Sequence, residues 1–363
     1  MKERLRKRIK ELTSLIGVSG HEWFVAEYIY HALKDSVDSI EVRPNGAVIA
    51  IKKGKLPGGR RMITAHMDEV GYIVKSVSPA GFLFFGKAGS PTEACLPGRR
   101  VLVRGTKGTV EGVIGTRAGH LLTAEQKAKP QTVGQSYVDI FVKSAEEAAE
   151  LGIGPGAQIV PFSPCEEMNG TDYMVTRAAD CRVLCAIIIE TMLDLDPEKT
   201  HGEVCAVFNV LEESTVAACA AAVNYLKPIY GMFLDTIPCG DVPDCDFAKE
   251  LPVALDRGPV IVLEQYLTGE HNYVVSNPKL VDAVRNISKE MQIPHQEVMM
   301  ISARYITDAV TSSYAGDGMA TITFACPRRY SHSPTEVFHL EDTVRMQKIV
   351  EQFIMSDINI NMF

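Results

Sequence analysis

Glu203-Val-Cys-Ala-Val-Phe-Asn-Val-Leu-Glu-Glu-Ser-Thr215 changes character in its middle. The run from Val204 to Leu211 is short and almost wholly apolar, which predicts a buried strand over 203–211. The alanine-rich stretch beyond it predicts a helix over 214–226. Two adjacent acids, Glu212 and Glu213, stand between them. A strand covered on both faces reads as an unbroken apolar run, so this segment belongs in a mainly parallel sheet between layers of helix. Ligands of such sheets bind at the carboxyl ends of the strands, and here that end carries two carboxylates.

Three further strand-like runs finish on the same chemistry: Ala65-His66-Met67-Asp68, Phe233-Leu234-Asp235 and Tyr330-Ser331-His332. Strands at 61–65, 230–235, 258–263 and 320–326 alternate with helices at 179–195, 277–291 and 340–355. This order is that of an α/β fold, a mixed, mainly parallel sheet flanked by helices. Helices over 3–16 and 22–34 precede it, and Pro44-Asn45-Gly46 predicts a hairpin turn within 39–52.

From Gly71 to about Pro161 the texture differs. Tyr72-Ile-Val-Lys-Ser-Val, Gly81-Phe-Leu-Phe-Phe, Arg100-Val-Leu-Val-Arg and Gly108-Thr-Val-Glu-Gly-Val-Ile are short alternating segments separated by glycine turns. They predict a small β-barrel or sandwich, interrupted by one helix over 144–151. A chain of 363 residues exceeds the usual size of one core. The expected organisation is a catalytic α/β domain from residues 1–70 and 166–363, with residues 71–165 inserted as a β-rich domain for oligomer contacts and partial cover of the site.

Composition narrows the function. With 46% hydrophobic and 23% charged residues the chain can bury a large core, and its net charge of −8 argues against a nucleic-acid partner. The basic cluster Lys2 to Lys10 is interleaved with Leu5, Ile9 and Leu12, the pattern of an amphipathic helix with a solvated face. No apolar leader follows these charges and no apolar run reaches about 18 residues, so no membrane partner and a cytoplasmic location are expected. The nine cysteines are odd in number and contain no Cys-x-x-Cys pair, which reads as reduced, buried thiols. His21, His31, His201, His295 and His339 read as surface or structural; His120 and His271 lie in loops that could border a site.

The residues at the strand ends carry the chemistry. His66 and Asp68, two apart on an extended chain, face the same way and read either as a metal ligand with the group that orients it or as a hydrogen-bonded pair at a strand end. Asp180 opens a helix and reads either as a first-turn acid or as a carboxylate bridging two ions. Glu212 and Glu213 diverge, giving a general base and a ligand, or else two acids that suit the helix dipole. With Asp235 and His332 the set holds two imidazoles and four carboxylates plus an orienting aspartate. Two zinc-like ions need about that many donors if one carboxylate bridges them. There is no glycine-rich phosphate loop and no Gly-x-Ser-x-Gly elbow.

Thr64-Ala-His-Met-Asp-Glu-Val-Gly71, Asp180-x-Arg182, Glu212-Glu213, Asp235, Thr307-Asp308-Ala309 and Pro327-Arg-Arg-Tyr-Ser-His-Ser-Pro-x-Glu336 together resemble the M42 family of metallo-aminopeptidases over nearly the whole chain. The resemblance implies a zinc-peptidase-like sheet with a PDZ-like dimerisation barrel. It implies two divalent ions (zinc, or cobalt or manganese), one on His66, Asp180 and Asp235 and one on Asp180, Glu213 and His332. Glu212 would be the general base, with Asp68 the second residue assigned to catalysis, acting on peptides with a free amino end. It implies a homo-oligomer, a tetrahedral dodecamer built from dimers. Arg257 and Arg304 would lie near the site. The chain departs from the family pattern in three places: Asp180-Cys181-Arg182-Val183-Leu184 replaces Asp-Asp-Arg-x-Gly, Leu211 and Ser214-Thr215 flank the glutamates in place of Gln and Val-Gly, and Tyr305-Ile306 replace glycines. Cys181 reads as a soft thiol close to the metals or, the expected state, as a buried neutral thiol. The rival functions are a related deacylase or amidase on the same metal site and a non-catalytic assembly protein.

Overall fold

The computed structural model describes residues 1–267, 272–301 and 305–361. Among them a nine-stranded sheet runs in the order Ser39–Val42, Val48–Lys53, His201–Asn209, Leu56–His66, Tyr230–Pro238, Ala320–Arg328, Val260–Leu267 and Asn272–Val275, with Gln296–Met300 paired to Val260–Leu267. The four central strands are parallel, and antiparallel pairs flank them. The parallel core brings four carboxyl ends to one edge: Asn209 is in register with His66, and Asp235 with Ala325.

The apolar run quoted above is buried on both faces. Val204, Ala206 and Phe208 join the core formed with helices Lys2–Ser14, Trp23–Leu33, Ala179–Asp194, Pro278–Glu290 and Leu340–Met355. Cys205 and Val207 point the other way, into a smaller core with Cys219–Leu226 and Ala309–Ser312. Period-two alternation between two apolar layers therefore explains why no polar residue interrupts the run.

Ala179–Asp194 is buried from Ala179 to Met192, as its nearly all-apolar sequence demands. The buried Glu190 within it is answered from the first helix. Arg8 Nε donates to Glu190 Oε1 at 2.8 Å, and Arg4 pairs with the same carboxylate. The first helix buries Leu5, Ile9 and Leu12 as its spacing requires, but Arg4 and Arg8 belong to this buried pairing rather than to a purely solvated face. Arg182 is fully buried and donates to the carbonyls of Leu12, Leu15, Gly17 and Met67.

Between the third strand and residue 166 the chain forms a closed six-stranded barrel: Gly71–Val77, Leu83–Ala88, Val138–Asp139, Thr109–Ile114, Arg100–Arg104 and Gln158–Pro161. Closure excludes the sandwich alternative, and Ala145–Glu150 is the helix that the sequence places there. Several boundaries differ from the sequence reading. The third strand starts at Leu56, ahead of its Pro-Gly-Gly. The helix expected over 214–226 is two, Glu212–Thr215 and Cys219–Leu226, broken at Val216, whose φ is +47°. A three-stranded sheet of Glu166–Glu167, Tyr173–Thr176 and Glu336–His339 was not anticipated. No described helix is long and apolar enough to cross a membrane.

Candidate active site

His66 is the last residue of Leu56–His66 and its ring is buried. Nδ1 lies 3.1 Å from the Asp68 carbonyl oxygen and 3.3 Å from Asp68 Oδ1. Nε2 is thereby turned to the crevice, 3.1 Å from Asp180 Oδ1, 3.8 Å from Glu212 Oε2 and 4.0 Å from Asp235 Oδ1. The Asp68 carboxylate also accepts the backbone N–H groups of Glu212 and Glu213, each at 3.1 Å. One buried acid thus fixes both the imidazole and the turn that presents the two glutamates. Burial works against its charge, yet His66 and these donors hold its pKa below the ordinary carboxylate value.

Asp180 stands between two histidines. Its Oδ1 faces His66, and its Oδ2 lies 3.5 Å from His332 Nε2 and 2.9 Å from Arg328 Nη1. Asp180 and Cys181 depart from helical φ/ψ at the start of Ala179–Asp194, which aims the carboxylate across the sheet edge instead of along the helix. Burial opposes ionisation, but Arg328 and the two imidazoles hold the Asp180 carboxyl well below its usual range.

His332 does not end a strand. Ala320–Arg328 stops four residues earlier, and Tyr330 and His332 sit in a turn at φ +61° and +55°. Its Nδ1 faces the carbonyl oxygen of Ser90 at 3.1 Å, leaving Nε2 3.3 Å from Glu213 Oε2. Ser90 belongs to the loop that leaves the barrel strand Leu83–Ala88. Gly89 beside it has φ +71°, and a Cβ there would lie 3.2 Å from the Glu213 Cβ, so glycine lets this loop approach the site. Asp235 is likewise inside its strand, which continues to Pro238; its Oδ1 accepts the Thr236 N–H at 2.7 Å.

All seven side chains singled out from the sequence thus converge on one crevice: His66, Asp68, Asp180, Glu212, Glu213, Asp235 and His332. Their donor atoms form two groups sharing Asp180. Those of His66, Asp180, Cys181 and Asp235 lie within 4.8 Å of one another, as do those of Asp180, Glu213 and His332. Burial, then the neighbouring charges, push the carboxyls of Glu212 and Asp235 well above their ordinary values. Glu213 is pushed up to about 8, by burial and then by the charge of Asp180, while His332 draws it down. Glu213 Oε1 is buried without a hydrogen-bond partner. So many carboxylates in a buried crevice favour bound cations, and the nitrogen and oxygen donors of these groups could hold divalent metal.

Three residues of the motifs quoted above support the site: Arg328, Glu336 and Asp308. Arg328 bonds Asp180, pairs with Glu336 and donates to Ser331 Oγ at 2.6 Å. Glu336 in turn accepts the backbone N–H groups of Asp180 and His332. Asp308 accepts from Asn209 Nδ2 at 2.9 Å, keeps a buried Oδ1 without a partner, and has its pKa raised by burial to about 7. The motifs Thr307-Asp308-Ala309 and Pro327 to Glu336 were the signal; assigning roles needed the contacts.

The other candidates lie elsewhere. His120 is in the exposed turn Gly119–Leu121 of the barrel loop, and Arg257 stacks on the Phe247 ring at 5.6 Å. His271 and Arg304 fall outside the described residues. Asp256, His339 and Asp342 form another acid–imidazole group, but Arg345 lies 3.0 Å from both carboxylates and already offsets part of their charge.

Comparison with known proteins agrees with this architecture. The profile of the M42 glutamyl aminopeptidase family matches residues 46–349. A putative aminopeptidase of Escherichia coli, FrvX, is 30% identical over 355 residues, covering 95% of this chain and 94% of its own. The solved aminopeptidase of the archaeon Desulfurococcus kamchatkensis superimposes with a TM-score of 0.90 at 27% identity, covering 98% of this chain and 96% of its own. The TET1 peptidase of Pyrococcus horikoshii, which can assemble into a tetrahedron or a large octahedral shell, gives 0.85 at 29% identity, covering 97% and 99%.

Proposed function

The chain belongs to the M42 aminopeptidase family and is a peptide-bond hydrolase of that kind; from this premise we propose that it removes residues from the free amino ends of peptides with the help of two divalent ions. The carrying observation is the Asp180 carboxylate, with one oxygen facing His66 and the other facing His332, and Glu212 alongside. His66, Asp180 and Asp235 would hold one ion and Asp180, Glu213 and His332 the other. Bound there, a pair of ions supplies polarisation of the scissile carbonyl and a water of lowered pKa.

The protein's own groups do the rest. Glu212 is buried beside His66 and makes no first-hand claim on either triad, so it is free to accept the proton of the attacking water and deliver it to the leaving amine. Its raised affinity for a proton suits that return step. Asp68 holds His66 with Nε2 outward, and the Ser90 carbonyl does the same for His332, so neither ring needs to search for its orientation. A free amino terminus could meet the acids of the crevice, which favours substrates whose amino end is unblocked.

Residues 71–165 we take to be a separate dimerisation domain, inserted between residues 1–70 and 166–363. Exposed Phe84, Phe141 and Phe162 on this unit support a role in contacts between copies, and we take the assembly to be a closed homo-oligomer, a tetrahedral dodecamer, a reading supported by the likeness to the TET1 peptidase. Native mass by light scattering tests it.

The activity is tested with chelator-stripped protein given zinc, cobalt or manganese and offered aminoacyl-p-nitroanilides beside their N-acetylated forms. Hydrolysis confined to free-amine substrates is expected. Cleavage of N-blocked substrates alone would identify a deacylase or amidase instead.

A further inference from the structure

We infer that the thiol of Cys181 is a fourth donor to the ion held by His66, Asp180 and Asp235, so that one ion of the pair has a sulfur ligand and the other has none. This rests on the dinuclear reading above and adds to it a ligand and a metal preference.

The geometry carries the inference. Cys181 is fully buried, and its Sγ lies within 4.8 Å of the donor atoms of His66, Asp180 and Asp235. Tetrahedral coordination with bonds of about 2.0–2.3 Å sets neighbouring donors roughly 3.4–3.7 Å apart. The measured separations from His66 Nε2, 3.1 Å to Asp180 and 4.0 Å to Asp235, bracket that range. The three residues leave room for one more donor in a four-coordinate shell, and the Cys181 Sγ is the remaining atom of the group.

The sulfur neighbours the His66 imidazole, itself a member of the donor group. Among the described residues the S–H reaches the Leu234 carbonyl oxygen, at 3.5 Å, a weak bond that uses the proton and not the lone pairs. The nearby Cys185 differs: its Sγ lies 3.1 Å from the His66 carbonyl oxygen, and it is absent from the donor group. The second triad, Asp180, Glu213 and His332, contains only oxygen and nitrogen.

The step is simple acid–base chemistry. The S–H bond breaks, the proton passes to solvent, and sulfur donates a pair to the ion; no electron is transferred. A thiolate favours softer ions, so this position takes zinc, cobalt or cadmium in preference to manganese or magnesium. The all-oxygen-and-nitrogen position exchanges more freely among divalent ions. The chain therefore binds two ions of unequal selectivity.

Cobalt titration of the chelator-stripped full-length protein tests this by absorption. Wild type is expected to show a near-ultraviolet sulfur-to-cobalt charge-transfer band that saturates with one cobalt per chain. Cys181→Ser is expected to lose the band while its visible ligand-field bands show that cobalt still binds. If wild type binds two cobalt ions without the band, or the band survives in Cys181→Ser, the sulfur assignment is overturned and the dinuclear reading stands. If no cobalt binds at all, the dinuclear reading itself fails. Should Cys181→Ser not fold, zinc X-ray absorption of wild type decides: a sulfur scatterer at about 2.3 Å supports the assignment and a shell of nitrogen and oxygen alone refutes it.

Discussion

Replacing Asp68 with Asn separates charge from shape at the residue on which both the His66 ring and the glutamate turn depend. Asp68 Oδ1 faces His66 Nδ1 and accepts the Glu212 N–H; Oδ2 accepts the Glu213 N–H. Asparagine keeps one acceptor and turns the other into a donor. If its oxygen stays with His66 and Glu212, its NH2 group confronts the Glu213 N–H, and a buried donor without a partner costs about 1–3 kcal/mol. The imidazole also loses its anionic partner, a change that typically lowers metal affinity or activity by about 10–100-fold, or about 1.4–2.7 kcal/mol. Asp68 acts on the crevice through His66 and the glutamate turn, so the loss should appear in kcat and in metal affinity, with KM little changed. The assay is zinc affinity by chelator competition, followed by steady-state hydrolysis of an aminoacyl-p-nitroanilide at saturating zinc. Affinity and kcat both within about twofold of wild type would refute the argument that this carboxylate orients the site.

Three further outcomes follow from the same geometry. Glu212→Gln should retain two ions by elemental analysis yet lose about 10²–10⁴-fold in kcat, the usual worth of a positioned general base; unchanged turnover would remove Glu212 from the mechanism. Arg328→Met strands Asp180 and Glu336 in a buried setting, where breaking such a pairing costs about 3–5 kcal/mol; a markedly lower melting temperature is expected with saturating metal, and an unchanged one would show that the ions alone neutralise Asp180. Metal-free protein should lose stability as pH rises from about 4.5 to 8. Glu213 and Asp308 titrate near 8 and 7 when folded against about 4.3 and 3.9 unfolded, so the folded state holds more protons across that window and the slope of stability with pH is negative. His332, raised to about 9 with burial opposed by Glu213 and Asp180, acts in the same direction, its contribution fading as pH passes 9. Melting scans with chelator and with zinc check this; a chelated protein equally stable at pH 5.5 and 8 contradicts it.

Legibility in the sequence followed the strength of local signals. The run Val204 to Leu211 announced a strand between two helical layers because both of its faces are apolar. The acids and imidazoles beyond such runs announced a crevice because parallel strands share one carboxyl edge. Signals that depend on partners were weaker. Val138–Asp139 pairs within the barrel through only two residues, too few for a period. Leu56–His66 begins in Pro-Gly-Gly, a turn signature overridden by pairing with His201–Asn209. His332 was read at the end of a strand, whereas two left-handed residues bring it in from a turn. Arg328 is one of two adjacent arginines in its motif; only the fold separates it, turned to Asp180, from Arg329, whose Nη2 lies 2.6 Å from Asp241 Oδ2.

The donors of the crevice come from residues 66, 180, 212, 213, 235 and 332, and the guanidinium that steadies Asp180 from residue 328. On the ribosome, then, a growing chain carries no complete constellation until the stretch from 328 to 336 has left the exit tunnel. A chain cut short before residue 328 would therefore keep most of the crevice yet lack both the second imidazole and the guanidinium that pairs with Asp180.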